Sequence, residues 1–291
     1  MSTNEAMRVA APAVTRPARR SAPARFLRSE LGLVFRRRRN LAMLAVLACA
    51  PILLGLAIKA SSPGPDEGGP GFINQVSQNG LFLAFTSLIV TLPLFLPLAV
   101  SVVCGEAIAG EANTGTLRNL LVVPVGRTRL LAVKYASAVA YSLACTLTVA
   151  AFGVAIGLML FPGGSVTLLS GTSIPFAEAL VRVLLVALYV AGMLCAVAAI
   201  GIFISTLTEV PLAAMAAASI LVIICEILDS VPQLSAIHSY LFTHYWLTFG
   251  DLLRSPVQWH DMSVGLMAQG IYVAVFLSLA WARFTTRDVS S

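Results

Sequence analysis

The chain has 291 residues and a formal net charge of +6, with 58% hydrophobic and only 11% charged residues. Soluble domains carry about 25% charged residues, so this composition, with a mean hydropathy of +0.89, excludes a soluble globular enzyme and implies a polytopic membrane protein. The positive charge is no sign of a nucleic-acid partner, because it is distributed beside apolar runs as membrane topology requires.

Residues 1–24, with Pro12, Pro17 and Pro23 among Ala, Arg and Ser, hold too little apolar surface to fold and read as a disordered basic tail. Residues 25–39, RFLRSELGLVFRRRR, predict an amphipathic interfacial helix. Leu27, Leu31, Val34 and Phe35 share one face, with Arg28, Arg36 and Arg39 off it, the layout of a helix lying on anionic headgroups. Residues 40–291 then form a six-span transmembrane domain. Its apolar runs fall at 41–58, 81–104, 135–161, 183–207, 211–228 and 264–281, each near the 17 to 20 residues needed to cross about 30 Å of hydrocarbon. The first run follows basic residues as a signal peptide would. It is too long for such a peptide's apolar region, however, and has no clear small-x-small cleavage site before Lys59.

Lys and Arg mark the cytoplasmic side when they lie near span ends. Ten arginines precede Leu41, four basic residues lie in 105–134, and Arg283 and Arg287 follow the last run; the other side holds Lys59, Arg182 and Arg254. Both termini are therefore expected in the cytoplasm, and the number of spans must be even. That parity makes 230–261 an outer loop rather than a seventh span. Ile237, Leu241, His244, Tyr245, Thr248 and Leu252 follow helical steps there, so short outer helices or a re-entrant hairpin are expected between spans five and six. Tyr240, Tyr245, Trp246 and Trp259 suit a membrane interface.

In chain order, Pro93 and Pro97 are expected to kink the second span and are candidates for lining a pathway. The spacing Gly153-x-x-x-Gly157 in the third span, and Ala213, Ala214, Ala216, Ala217 and Ala218 in the fifth, allow close helix approach, within one subunit or between two. Glu178 and Arg182 form an i, i+4 pair at the outer start of the fourth span. Glu226 and Asp229 stand near the outer end of the fifth, where a water-facing helix end and a site for a cation or cationic substrate are both open readings. The histidines, His238, His244 and His260, have no metal-site spacing. No metal is assigned.

No phosphate-cradling GxxxxGK[ST] and no HExxH occurs, so the chain has no ATPase or metalloprotease motif of its own. Gly163-Gly164-Ser165 lacks the partners of a membrane serine protease. Cys49, Cys104, Cys145, Cys195 and Cys225 lie singly in different runs and read as small core residues.

Residues 105–134, GEAIAGEANTGTLRNLLVVPVGRTRLLAVK, form a charged insert that must lie at a membrane surface, since each buried charge costs about 2.5 to 3.5 kcal/mol on insertion scales. Thr114 or Thr116 suits a helix cap, Leu117, Leu120 and Leu121 give one apolar face, and Pro124 closes it. A short helix of this kind at the water boundary is a handle for a soluble partner.

Glu111, Gly115, Thr116, Leu117, Leu120, Leu121, Pro124, Val125, Arg127 and Lys134 stand in the order of a segment that resembles the first cytoplasmic segment of type-2 ABC exporter permeases. The ending Phe284-Thr285-Thr286-Arg287-Asp288-Val289 is similar to the F-x-x-R-D-[IV] ending of many members. The resemblance implies an all-α transmembrane subunit in a prokaryotic cytoplasmic membrane. Its partners would be two ABC ATPase subunits, a second permease copy or paralogue, and membrane lipid. ATP and magnesium would belong to the partner ATPase, with no cofactor in this chain. Segment 105–134, with Glu106 inside it, and the short loop bearing Glu209 would couple to that ATPase. The implied cargo is a small amphipathic or hydrophobic compound. The competing classes are an ion-coupled secondary transporter and a non-transport membrane scaffold. The absence of charge from the middle of every run weighs against the first.

Overall fold

A computed structural model of the protein describes residues 22–61, 71–113, 126–168 and 170–286. Its elements run α1 (Ala22–Arg36), α2 (Arg38–Ala60), α3 (Gly71–Gln78), α4 (Phe82–Thr91), α5 (Phe95–Asn113), α6 (Arg127–Leu160), β1 (Val166–Thr167), β2 (Ser173–Ile174), α7 (Phe176–Leu207), α8 (Pro211–Ser230), α9 (Ser235–His238) and α10 (His260–Thr286). Six of these, α2, α5, α6, α7, α8 and α10, contain 19 to 34 residues and are apolar enough to cross a membrane. At 1.5 Å per residue they reach about 28 to 51 Å, sufficient for a hydrocarbon core of about 30 Å. Among the described residues the fold is all-α apart from one antiparallel two-residue ladder that pairs Val166 with Ile174.

Helix α7 is the hub. It is apolar around its whole circumference and rich in small residues, and its apolar window is 72% buried where that of α10 is 17% buried. An all-round apolar helix of this kind belongs at the centre, and α5, α6, α8 and α10 pack on it. Close approach elsewhere depends on glycine. A Cβ on Gly157 would lie 2.0 Å from the Gly80 carbonyl oxygen, and one on Gly153 would lie 2.5 Å from the Ala84 Cα. The Gly-x-x-x-Gly pair of α6 is thus used inside the chain. In α8, Ala214 and Ala218 are buried while Ala213, Ala216 and Ala217 are exposed.

Three expectations need correction. The interfacial helix stops at Arg36, because Arg37 is extended, and Arg38 and Arg39 already belong to α2. The run 81–104 is not one kinked span but two helices, α4 and α5, separated by a turn at 92–94. Pro93 sits in that break, lacking an N–H and crowding the preceding turn; Pro97 lies in the first turn of α5, where a missing donor costs little. Residues 230–261 form short outer helical pieces as expected, but the reading of Trp246 as an interfacial residue is revised. The chain forms a 3-10 turn at Pro232–Leu234, the short α9, and a 3-10 helix at Trp246–Leu253. Trp246 and Phe249 are buried in protein rather than placed at an interface, because tertiary contacts hold this loop. Arg182 clamps it by donating to the carbonyls of Leu252 (2.7 Å) and Arg254 (3.0 Å) while pairing with Glu178 at 2.8 Å. Gln269 donates to the Phe242 carbonyl from α10 at 2.6 Å.

Candidate functional site

Three helix ends converge where the basic residues cluster: the C-terminal end of α5, the N-terminal end of α6, and α1 with its junction to α2. Lys134 of α6 donates to Glu30 of α1 at 2.8 Å and also pairs with Glu111 of α5. All three are largely buried, with side-chain exposures of 10%, 7% and 15%. Beside them Glu106 accepts from Arg37 and from Arg39, the latter at 2.5 Å. The Asn40 amide donates to the Val34 carbonyl at 2.9 Å, and the Tyr141 hydroxyl donates to the Asn40 carbonyl at 3.0 Å. These two bonds hold the α1–α2 elbow against α6.

The network contains three carboxylates, Glu30, Glu106 and Glu111, and three cations, Arg37, Arg39 and Lys134. Among the described residues these opposite charges match in number. Balance matters at this burial, since removing one partner of a buried ion pair leaves an uncompensated charge and costs about 3–5 kcal/mol. The crevice between these side chains has a volume of only about 50 Å³, against roughly 300–1,000 Å³ for a small-molecule pocket. The side chains fill the space between α1, α5 and α6 and pack these helices against one another.

Two further contacts extend the junction to the rest of the bundle. The Ser205 hydroxyl of α7 donates to the Gly105 carbonyl at 2.8 Å and accepts from the backbone N–H groups of Ile108 and Ala109 at 3.1 and 2.9 Å. Gly105 also lets α8 approach α5 closely, because a Cβ there would meet the Met215 backbone nitrogen of α8 at 2.7 Å. Arg127 donates to the carbonyls of Phe284 and Thr285 at 3.0 and 2.7 Å, joining the start of α6 to the last described turn of α10. The Trp281 indole donates to Thr128 at 2.8 Å.

Of the sequence-predicted coupling residues, Glu106, Glu111, Arg127 and Lys134 are brought together at one end of the bundle, each engaged within the chain. Glu209 is exposed in the linker between α7 and α8 at that same end. Gly115, Thr116, Leu117, Leu120, Leu121 and Pro124 lie outside the described residues, as do residues 287–291 with most of the terminal motif. Among the candidate pathway residues, Pro93 is in the α4–α5 break and Pro97 is buried beside it. Glu226 and Asp229 lie in the last turns of α8 at the opposite end, where Asp229 meets the Nδ1 of His244 at 2.7 Å.

Glu30 escaped the sequence reading. Its signal was present: it is the one acidic residue in 25–39, and at i+3 from Leu27 it falls on the apolar face of α1 rather than among the arginines. The same geometry revises the reading of 36–39 as purely lipid-facing, because Arg37 and Arg39 turn inward to Glu106.

Six membrane-length helices, four of them packed on the apolar α7, with charge near their ends, define a multi-pass α-helical membrane protein. The chain belongs to the family described as protein of unknown function (DUF2705), whose profile matches residues 49–290. That match takes in Glu106, Glu111 and Lys134, while Glu30 precedes it. No curated protein matches the chain.

Proposed function

We propose that the chain is the membrane subunit of an ATP-driven exporter similar to the type-2 ABC permeases, acting as a dimer with two separate ATPase subunits. The observation that carries this reading is the pairing of Glu111 with Lys134 and of Lys134 with Glu30. These residues flank segment 114–125 on both sides and tie its two ends to each other and to α1. The end of α5 and the start of α6, joined in this way to α1, move together with it. Ser205 and Arg127 pass that displacement to α7 and α10. A partner that pushes the segment at the water boundary therefore acts on most of the bundle.

In this account ATP and magnesium are held by the partner, and the basic end, with both termini, faces the cytoplasm of a prokaryotic cell. The cargo is a small amphipathic or hydrophobic compound, for which the α4–α5 break at Pro93 and Pro97 supplies a deformable wall. Among the described residues, ionisable side chains stay near helix ends, which favours this reading over an ion-coupled carrier needing a carboxylate near the midplane.

The test is copurification. Expressed with an ATPase encoded beside it, the full chain should carry that subunit through purification in mild detergent. Leu117→Ser with Leu120→Ser should abolish the association without preventing insertion. Retention of the ATPase by that variant would remove the segment as the contact.

A further inference from the structure

Asp229, His238 and His244 come from three successive pieces of chain: the end of α8, the end of α9, and the turn that follows. Pro232 starts the 3-10 turn that reverses the chain after Val231, folding both imidazoles back over the carboxylate. One donor atom from each residue lies within 4.8 Å of the other two. The Asp229 Oδ1 is 2.7 Å from the His244 Nδ1 and 3.9 Å from the His238 Nδ1.

The His238 ring carries an additional clue. Its Nε2 lies 3.1 Å from the Val231 carbonyl oxygen, and a carbonyl only accepts, so Nε2 holds the proton. In a neutral ring Nδ1 is then a bare lone pair turned toward a carboxylate oxygen. That lone pair and a carboxylate oxygen 3.9 Å away are both able to ligate one cation. A backbone carbonyl that fixes the tautomer of a ligating histidine is the usual outer-shell arrangement around a metal ion.

We propose that Asp229, His238 and His244 bind a divalent transition-metal ion of the zinc class, an assignment independent of the transport reading. Bonds of about 2.0–2.1 Å to imidazole nitrogen and carboxylate oxygen in a tetrahedron set donor atoms roughly 3.3 Å apart. The observed 2.7 and 3.9 Å bracket that value, so rotation of the side chains completes the geometry. Two imidazoles and one carboxylate suit zinc, cobalt or nickel, whereas calcium and magnesium demand oxygen-rich shells of six or more ligands. His244 and Asp229 remain partly exposed, with side-chain exposures of 34% and 24%, leaving an approach for a fourth ligand. The bound ion ties the 231–246 loop to the end of α8.

The experiment uses the untagged, metal-stripped full chain in detergent, titrated with Zn²⁺ against a chromophoric chelator and separately with Co²⁺. One Zn²⁺ should bind per chain and raise the midpoint of thermal unfolding, and Co²⁺ should give visible d–d absorption. Asp229→Asn and His238→Gln should each weaken binding by more than about tenfold, while His260→Gln, at the start of α10 and outside the cluster, leaves it unchanged. Absence of saturable Zn²⁺ binding and of a Co²⁺ spectrum in the wild-type chain would overturn the site, whatever the variants' folding. So would undiminished binding in Asp229→Asn and His238→Gln.

Discussion

Lys134 on α6 and Glu30 on α1 meet at 2.8 Å across 104 positions of sequence, and both are almost fully withdrawn from solvent. A contact of this kind makes the amphipathic leader helix part of the bundle rather than an independent surface anchor. Its energetics lead to the first prediction.

Lys134→Met leaves the buried Glu30 carboxylate without its lysine and takes the same cation from Glu111, so it should destabilise the protein by about 3–5 kcal/mol. Glu30→Gln should cost less, because Lys134 keeps Glu111. Removing all three charges together should recover much of the loss, since an apolar replacement of a buried ionic group is often neutral. Thermal unfolding of the detergent-solubilised variants, followed by the fraction remaining monodisperse, measures the order. Equal stability of Lys134→Met and wild type would contradict the buried network.

Glycine at the α4–α6 crossing should be intolerant. Gly157→Ala places a Cβ 2.0 Å from the Gly80 carbonyl oxygen, and overpacking of this sort costs about 1–3 kcal/mol, occasionally more. Gly270→Ala, with nothing within 4 Å, should leave expression and stability unchanged. Purified yield and unfolding midpoint, compared for the two variants, check this.

The proposed orientation, with the basic end in the cytoplasm, rests on the distribution of basic residues. In a cysteine-free background, Ser255→Cys should react with a membrane-impermeant maleimide in intact cells, and Asn113→Cys should react only after permeabilisation. Both positions are exposed on the described chain, so accessibility alone does not decide the result. External labelling at Asn113 would reverse the assignment of the basic end to the cytoplasm.

The sequence made the spans legible because apolar length and charge placement are local properties. It read α6 and α10 too short, since Arg127, Lys134 and Arg283 lie on helical turns beyond the apolar runs, paired or able to reach water there. It took Trp246 for an interfacial residue because aromatic character does not distinguish a membrane interface from a buried loop. Glu30, Asp229, His238 and His244 were harder for one shared reason. Their partners are set by how the chain reverses and how α1 lies on α6, and no spacing rule encodes that.

Glu111→Ala would have been a natural test of coupling, yet the Lys134 pair means that it perturbs folding as well. Gly115 lies in the segment itself and is the better probe. The decisive measurement is ATP hydrolysis by the complex of the full chain with its copurified ATPase, reconstituted in lipid vesicles, for wild type and Gly115→Val. The account predicts hydrolysis stimulated by the wild-type chain and loss of most of that stimulation in an inserted and folded Gly115→Val protein. Equal stimulation by both, or no effect of the wild-type chain on hydrolysis, would contradict it.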